Sequence, residues 1–523
     1  MYNRAIYRFV CSETEPVVTT HAGKVRGYLV NDIYTFHGIR YAQAERFQMP
    51  RPVTWEGIAD AQDYGYICPP THDTEIFGDI TAPHRYWLQS EHCQYLNIWT
   101  QELNPQAKKP VVVWLHGGGF VSGSAIELEC YDGENMARYG DVVCVSLNHR
   151  LNILGYLDLS DYGEEYANSG IVGMEDIVMA LKWVRDNIDQ FGGDPDNVTI
   201  MGESGGGAKV RALLQMSSAD GLYHRAIIQS GILPGNASIT PEDEKREAKD
   251  TAHRIVEAIG GLDALLSAPY EELLRAMKKV EAERPIAWGS IPWTPVPLTG
   301  SYVGEWCNAG FRKETLSIPV IAGSVFCELA RYTNLKDKSA MTEEERYEAL
   351  VAEYGAEFAP QIRDAFRKAY PELNLYYASV VDTFVRRPTR QFAVERTAAG
   401  GADTYNFLFA HETRFKGGLM STHADDLPFV FHNAEYIGAM FAGDQTYKAQ
   451  DEIFYAFMAF ARSGNPNHSG IPAWHPVTPQ EPQCFIFSRK PSCRVDHDAE
   501  LIRLAAAHAT TCRGFAPPQP NHP

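Results

Sequence analysis

The sequence predicts an α/β fold: a mostly parallel, twisted central sheet with helices on both faces. Two observations carry this. Short apolar runs rich in β-branched residues recur along the chain, and segments with helical periodicity separate them. Strands joined by helices of this length need crossover connections, which make neighbours parallel and cover the sheet on both sides. A third observation concerns size. At 523 residues, length alone allows about three domains. Yet no repeat, low-complexity tract or flexible linker divides the chain, so one domain over residues 1–523 is expected.

The first buried strand is Val111–Leu115 (VVVWL), and Val142–Leu147 (VVCVSL) is the second. Between the second and the third, Ile177, Leu181, Val184 and Ile188 recur every three to four residues, which lines one face of a helix over Glu175–Gln190. Gly192-Gly193 supplies its stop. Strands follow at Val198–Met201, Ala226–Gln229, Val320–Gly323, Tyr405–Phe409 and Cys484–Phe487. Two charged, helical stretches interrupt the alternation, at 241–280 and 341–370. Both lie between strands and are expected as helical insertions over one end of the sheet.

Composition excludes several classes. Lys plus Arg number 47 and Asp plus Glu 66, a formal net charge of −19. Nucleic-acid binding needs a basic footprint that this balance does not offer. No apolar stretch approaches the ~20 residues of a membrane helix, and the N-terminus lacks the apolar core of a signal peptide. A cytoplasmic protein with no membrane contact is therefore expected. The ten cysteines form no CxxC and no zinc-spaced Cys/His set, so no metal and no cofactor is expected.

The strongest local signal is NVTIMGESGGGAKV, residues 197–210. A β-run ends at Met201, and Gly202-Glu203-Ser204-Gly205-Gly206 turns into a helix, the strand–turn–helix setting that G-x-S-x-G requires. The glycines are needed because the serine sits on a strained turn where side chains would clash. Ser204 Oγ is thereby lifted to the carboxyl edge of the sheet. A phosphate loop is excluded because Ala208 stands where its lysine belongs, and Lys209 comes one residue late. A dinucleotide loop is excluded by Ser204 at its second glycine.

A separate motif weighs against a glycine turn without chemistry. His116-Gly117-Gly118-Gly119-Phe120 follows directly on the Val111–Leu115 strand. Glycines there let backbone N–H groups approach a substrate carbonyl, and Gly118, Gly119 and Gly205 are the candidate donors of an oxyanion hole. The acid and base must follow in the order Ser, acid, His. Glu328 lies a short loop after Val320–Gly323, in the apolar company of Cys327 and Leu329. His411 and His423 both follow the Tyr405–Phe409 strand. His423, on the longer loop GGLMSTHADDLPF, has more slack to reach Ser204.

These residues resemble the type B carboxylesterases, the α/β-hydrolase family that includes bacterial para-nitrobenzyl esterases, animal carboxylesterases and cholinesterases. FGGDPDNVTIMGESGG from Phe191 is similar to that family's nucleophile signature. SEHCQYLNIW from Ser90 resembles its second signature, with His92 and Gln94 as departures. The likeness continues through FHGIRYA, HGGGF, NHRLNILGYL, ALKWVRDNI, HRAIIQSG, GSVFCEL, THADDLPFVF and GNPN, over nearly the whole chain. It implies the α/β-hydrolase fold and hydrolysis of small-molecule carboxylic esters. By position it makes Ser204 the nucleophile, His423 the base and Glu328 the orienting acid. It also gives Glu203, Ser230 and Asp426 supporting roles.

Departures from the family pattern are specific. Gly205 replaces the usual Ala, Lys209 stands where a small residue is common, and Arg40 replaces a usual Pro. Cys68 and Cys93 match a widespread disulfide pair of the family, which would stay reduced in a reducing compartment. Trp288 and Trp293 precede a segment resembling one that flanks the family's acyl pocket, although a core role fits them equally. Two other readings share the resemblance. Amide, lactone or thioester cleavage would use the same groups. A non-catalytic adhesion relative would usually have lost a triad member, and none is lost here. Oligomeric state and natural ester are left open by the sequence.

Overall fold

The computed structural model describes residues 6–71, 83–235, 239–283, 291, 293–329, 337–438 and 441–510. Its main sheet has twelve strands. In chain order they are β1 (Phe9–Val10), β2 (Tyr28–Val30), β3 (Ile33–Arg40), β4 (Tyr95–Thr100), β5 (Lys109–Leu115) and β6 (Val143–Leu147). Then come β7 (Gly193–Glu203), β8 (Arg225–Gln229), β9 (Val320–Val325), β10 (Thr404–Phe409), β11 (Gln483–Phe487) and β12 (Ser492–Val495). Their spatial order is β1-β2-β3-β4-β6-β5-β7-β8-β9-β10-β11-β12. From β6 to β11 every neighbouring pair is parallel. Every strand expected from the sequence lies in this parallel block.

The antiparallel margins were not read from the sequence. β1 to β4 pair antiparallel with one another and with β6, and β12 closes the other edge. The two outermost strands, β1 and β12, carry no fully buried residue. Edge strands of this kind lack the continuous apolar run that marks a strand buried on both faces.

Parity along the strands divides the core. Val111, Val113, Val198, Ile200, Ala226 and Ile228 face one apolar layer, and Val112, Trp114, Met201 and Ile227 face another. The first layer is closed by helix α1 (Val172–Asn187), whose Ile177, Leu181 and Val184 are buried as the periodicity requires. A short turn, Ile188–Phe191, extends it, and Gly192 ends it at φ 78°. Helix α2 (Gly205–Leu213) is buried along its whole length against β5, β7 and β8. The opposite layer is closed by α6 (Asp444–Ser463) through Ile453, Phe454, Phe457 and Phe460.

Both charged stretches contain helices. The first contains α3 (Pro241–Ile259) and α4 (Tyr270–Glu283), and the second is α5 (Glu343–Ala369). Thr240 and Thr342 begin α3 and α5 with capping boxes, each typically worth about 1 kcal/mol. Helix α5 is broken at Gly355, whose φ is 77°. The connections that hold these helices leave the carboxyl ends of β8 and β9, the edge where Ser204 follows β7.

A buried ion pair fixes α1 to the loop after β6. Arg150 grips Asp176 through Nε (2.8 Å) and Nη2 (2.7 Å), with both side chains almost inaccessible. The Arg150 backbone N–H and Gln94 Nε2 also donate to Asp176 Oδ2, so the charge leaves water with its lone pairs met.

Candidate active site

Ser204 occupies the single-residue turn between β7 and α2, at φ 56° and ψ −123°. That conformation is costly for a residue with a Cβ. It is held by its own N–H, which donates to Gln229 O at 2.8 Å. The flanking glycines are required by contact. A Cβ on Gly202 would lie 2.4 Å from the Gly206 carbonyl carbon, and one on Gly206 would lie 1.9 Å from Leu115 O.

Ser230 and Glu328 follow the carboxyl ends of β8 and β9. Glu328 is completely buried. Its Oε1 accepts from Ser230 Oγ (2.7 Å) and from the Val325 N–H (2.9 Å). Oε2 accepts from the Nδ1–H of His423 at 2.6 Å, which leaves Nε2 to accept from Ser204 Oγ–H at 2.8 Å. The His423 backbone N–H donates to Glu328 O at 2.9 Å, tying the two loops together. Ser204, His423 and Glu328 thus come together from three separate loops at one edge of the sheet.

Further carboxylates crowd this chain. Glu203 Oε1 lies 3.4 Å from His423 Nε2, from a side chain only 2% exposed. Asp426 is buried, and its Oδ2 accepts from Gln229 Nε2 at 2.8 Å. Burial, and then the charge of Glu328, push the Asp426 carboxyl up to about 7. Asp382 caps the turn into the helix at Arg386, accepting from the N–H groups of Phe384, Val385 and Arg386. Burial and Glu328 raise it to about 6. Glu328 and Glu203 thus flank the two ring nitrogens of His423, at 2.6 and 3.4 Å.

The glycine loop lies over the start of α2. Gly118 and Gly119 take φ values of 82° and 64°, open to glycine without strain. The Gly118 carbonyl accepts from the N–H groups of Val121 and Ser122, which folds the loop back on itself. Among the described residues, the N–H groups of Gly118, Gly119 and Gly205 donate to no protein acceptor. Unpaired amides beside a nucleophile are what an oxyanion site presents.

Other sequence expectations resolve as follows. His411 is buried against Phe429, and burial lowers it to about 4. It takes no part in the Ser204 hydrogen-bond chain. Trp293 is buried in the core on the α1 side; Trp288 lies outside the described residues. Cys68 and Cys93 are buried, unbridged thiols, and Cys68 Sγ accepts from the Leu151 N–H. Sequence reasoning missed Gln229, whose partner Asp426 lies almost 200 residues on, and Asp382, which caps a local turn but is brought beside Glu328 only by the fold. It noted Lys209 as one residue late for a phosphate loop and as a departure from the family, although a lysine in a run as apolar as the start of α2 signals burial.

Comparison with known proteins gives the family. The model of the carboxylesterase family matches residues 14–504. The para-nitrobenzyl esterase of Bacillus subtilis is 32% identical over 477 residues, covering 89% of this chain and 94% of its own. Among solved structures, an esterase from anaerobic Clostridium hathewayi that can hydrolyze aliphatic aromatic polyesters is 41% identical, with a TM-score of 0.89. That match covers 96% of this chain and 99% of the other. A thermophilic para-nitrobenzyl esterase is 29% identical with a TM-score of 0.73, covering 94% and 99%. Sequence, sheet order and the carboxyl-edge site all lead to one assignment: this chain belongs to the carboxylesterase family.

Proposed function

We propose that this carboxylic ester hydrolase works through Ser204 as nucleophile, His423 as general base and acid, and Glu328 as the group that orients the imidazole. The observation that carries the reading is His423 bridging Ser204 Oγ at 2.8 Å and Glu328 Oε2 at 2.6 Å. His423 Nε2 takes the hydroxyl proton as Oγ attacks the ester carbonyl carbon. The carbonyl oxygen becomes an oxyanion held by the N–H groups of Gly118, Gly119 and Gly205, each typically worth roughly 3 kcal/mol. Collapse of the tetrahedral intermediate expels the alkoxide, which receives the proton from His423. Water then repeats the sequence on the acyl-enzyme and releases the acid. Glu203, Ser230 and Asp426 serve by holding the histidine and its partner carboxylate in place. No step calls for a cofactor.

For substrate, aryl and alkyl esters of small to medium acids are proposed, with aromatic diesters included. The likeness to the Clostridium hathewayi esterase, which can hydrolyze aliphatic aromatic polyesters, supports the last class. The test is release of nitrophenol from para-nitrophenyl acetate, butyrate and octanoate, and of acid from a terephthalate diester, by the wild type and by Ser204→Ala. Loss of a triad nucleophile is expected to cost on the order of 10⁶ in turnover. Activity that survives in Ser204→Ala overturns the assignment. Hydrolysis of the nitrophenyl esters without the diester overturns only the substrate class.

A further inference from the structure

Lys209 is fully buried in the second turn of α2, and nothing in the proposed chemistry uses it. Among the described residues its Nζ makes one hydrogen bond, donating to His116 O at 2.9 Å, and it lies 5.9 Å from the centre of the Phe120 ring. Glu127 is the carboxylate whose charge favours the ammonium, but the two form no ion pair among the described residues. Burial drives the amine down to about 7. A cation held this way costs the fold stability. Something other than stability must then account for its position.

The acceptor indicates what. His116 O is the carbonyl at the root of the glycine loop, and its peptide leads into Gly117, Gly118 and Gly119. Three residues on α2 bed this segment. Gly205 lies against Gly119, Gly206 against Leu115 O, and Lys209 reaches His116 O. Positions 205 and 209 are one turn apart and share a helix face. The far side of the loop is tied by the Gly118 carbonyl, which accepts from Val121 and Ser122, but its glycines are conformationally free, and among the described residues the N–H groups of Gly118 and Gly119 donate to no protein acceptor.

We propose that Lys209 is a positioning residue for the oxyanion loop: from inside the fold its side-chain nitrogen pins the His116 carbonyl, and through it sets the direction of the Gly118 and Gly119 amides. This rests on the oxyanion assignment made above. Lys209 is fully buried and does not reach the surface of the site. Its effect passes through the backbone to groups that matter most when charge develops on the substrate oxygen.

The test compares the wild type with Lys209→Met, which keeps the chain length and apolar volume but removes the donor. Turnover of para-nitrophenyl butyrate is expected to fall 10- to 100-fold, with KM changed less than about twofold, as for a contact made only in the transition state. Affinity for an aryl trifluoromethyl ketone, which forms an oxyanion on addition to serine, should fall by a similar factor. End-point phosphonylation by an organophosphonate should still reach one equivalent, showing a folded site. If Lys209→Met retains wild-type kcat and ketone affinity while Ser204→Ala is inactive, the positioning role is refuted and the nucleophile stands. If Ser204→Ala remains active, both fail.

Discussion

Gly205 and Gly119 are in such close backbone contact that a methyl group on Gly205 would lie 2.2 Å from the Gly119 nitrogen and 2.3 Å from its Cα and carbonyl oxygen. There is no room for a side chain between the glycine loop and the start of the nucleophile helix. The approach places two of the candidate oxyanion donors on facing strands of backbone.

Gly205→Ala must therefore displace the loop. Because one misplaced donor is typically worth roughly 3 kcal/mol of barrier, kcat should fall about 100-fold on nitrophenyl esters, with a smaller change in KM. Steady-state kinetics check this, and a variant within twofold of the wild type would show that the loop yields without cost.

Ser230→Ala removes one of the two internal donors to Glu328 Oε1 and leaves the Val325 N–H as the other. Hydrogen bonds to charged groups are worth about 1.5–3 kcal/mol, much of which the remaining donor retains. The expected loss in kcat is about tenfold. The fold should stay intact by circular dichroism, and Ser230→Thr should recover most of the rate.

Lys209 sets a pH dependence of stability. Its amine is lowered from the ordinary 10.5 to about 7 in the fold. Between those values the unfolded chain binds more protons, so stability rises with pH across that window. The cost of burying the charge is fully present below about pH 7 and gone above about 10.5. Lys209→Met should accordingly raise the thermal midpoint most at pH 6 and hardly at all at pH 10.5. Scanning calorimetry at both values tests the sign. A midpoint gain that is equal at both would remove the titration from the explanation.

Asp426 acts in the opposite sense. Its carboxyl is raised from 3.8 to about 7, so the folded state binds more protons in that interval and stability falls as pH rises through it. Asp426→Asn should match the wild type near pH 4 and exceed it above pH 7, by at most about 4 kcal/mol. Urea unfolding at the two pH values measures the difference. Because Asn keeps an acceptor for Gln229, the hydrogen bond is not the variable.

Much of the fold was legible because the parallel strands are buried on both faces. Val111–Leu115 and Val142–Leu147 must be apolar throughout, and such runs stand out in a sequence. The outermost strands did not stand out, since a strand at the sheet edge need not bury every residue, and the antiparallel pairing of β4, buried over five of its six residues, is decided by distant chain. The Ser204 elbow was legible for a local reason as well. Its glycines answer to contacts within a few residues and to one neighbouring strand.

What the sequence alone determined was therefore whatever local sterics and periodicity enforce: the parallel core, the helix of residues 175–190 to within a few positions, the strained serine turn and the glycine loop. Tertiary structure decided which distant groups meet. Glu328 Oε1 takes its hydrogen bond from Ser230 almost 100 residues earlier, and Gln229 reaches Asp426 almost 200 residues later. The Lys209 side chain turns inward to His116 rather than out to water. Hydrogen bonds and buried charges depend on distance in space, and no spacing along the chain encodes that until the sheet has brought its strands into order.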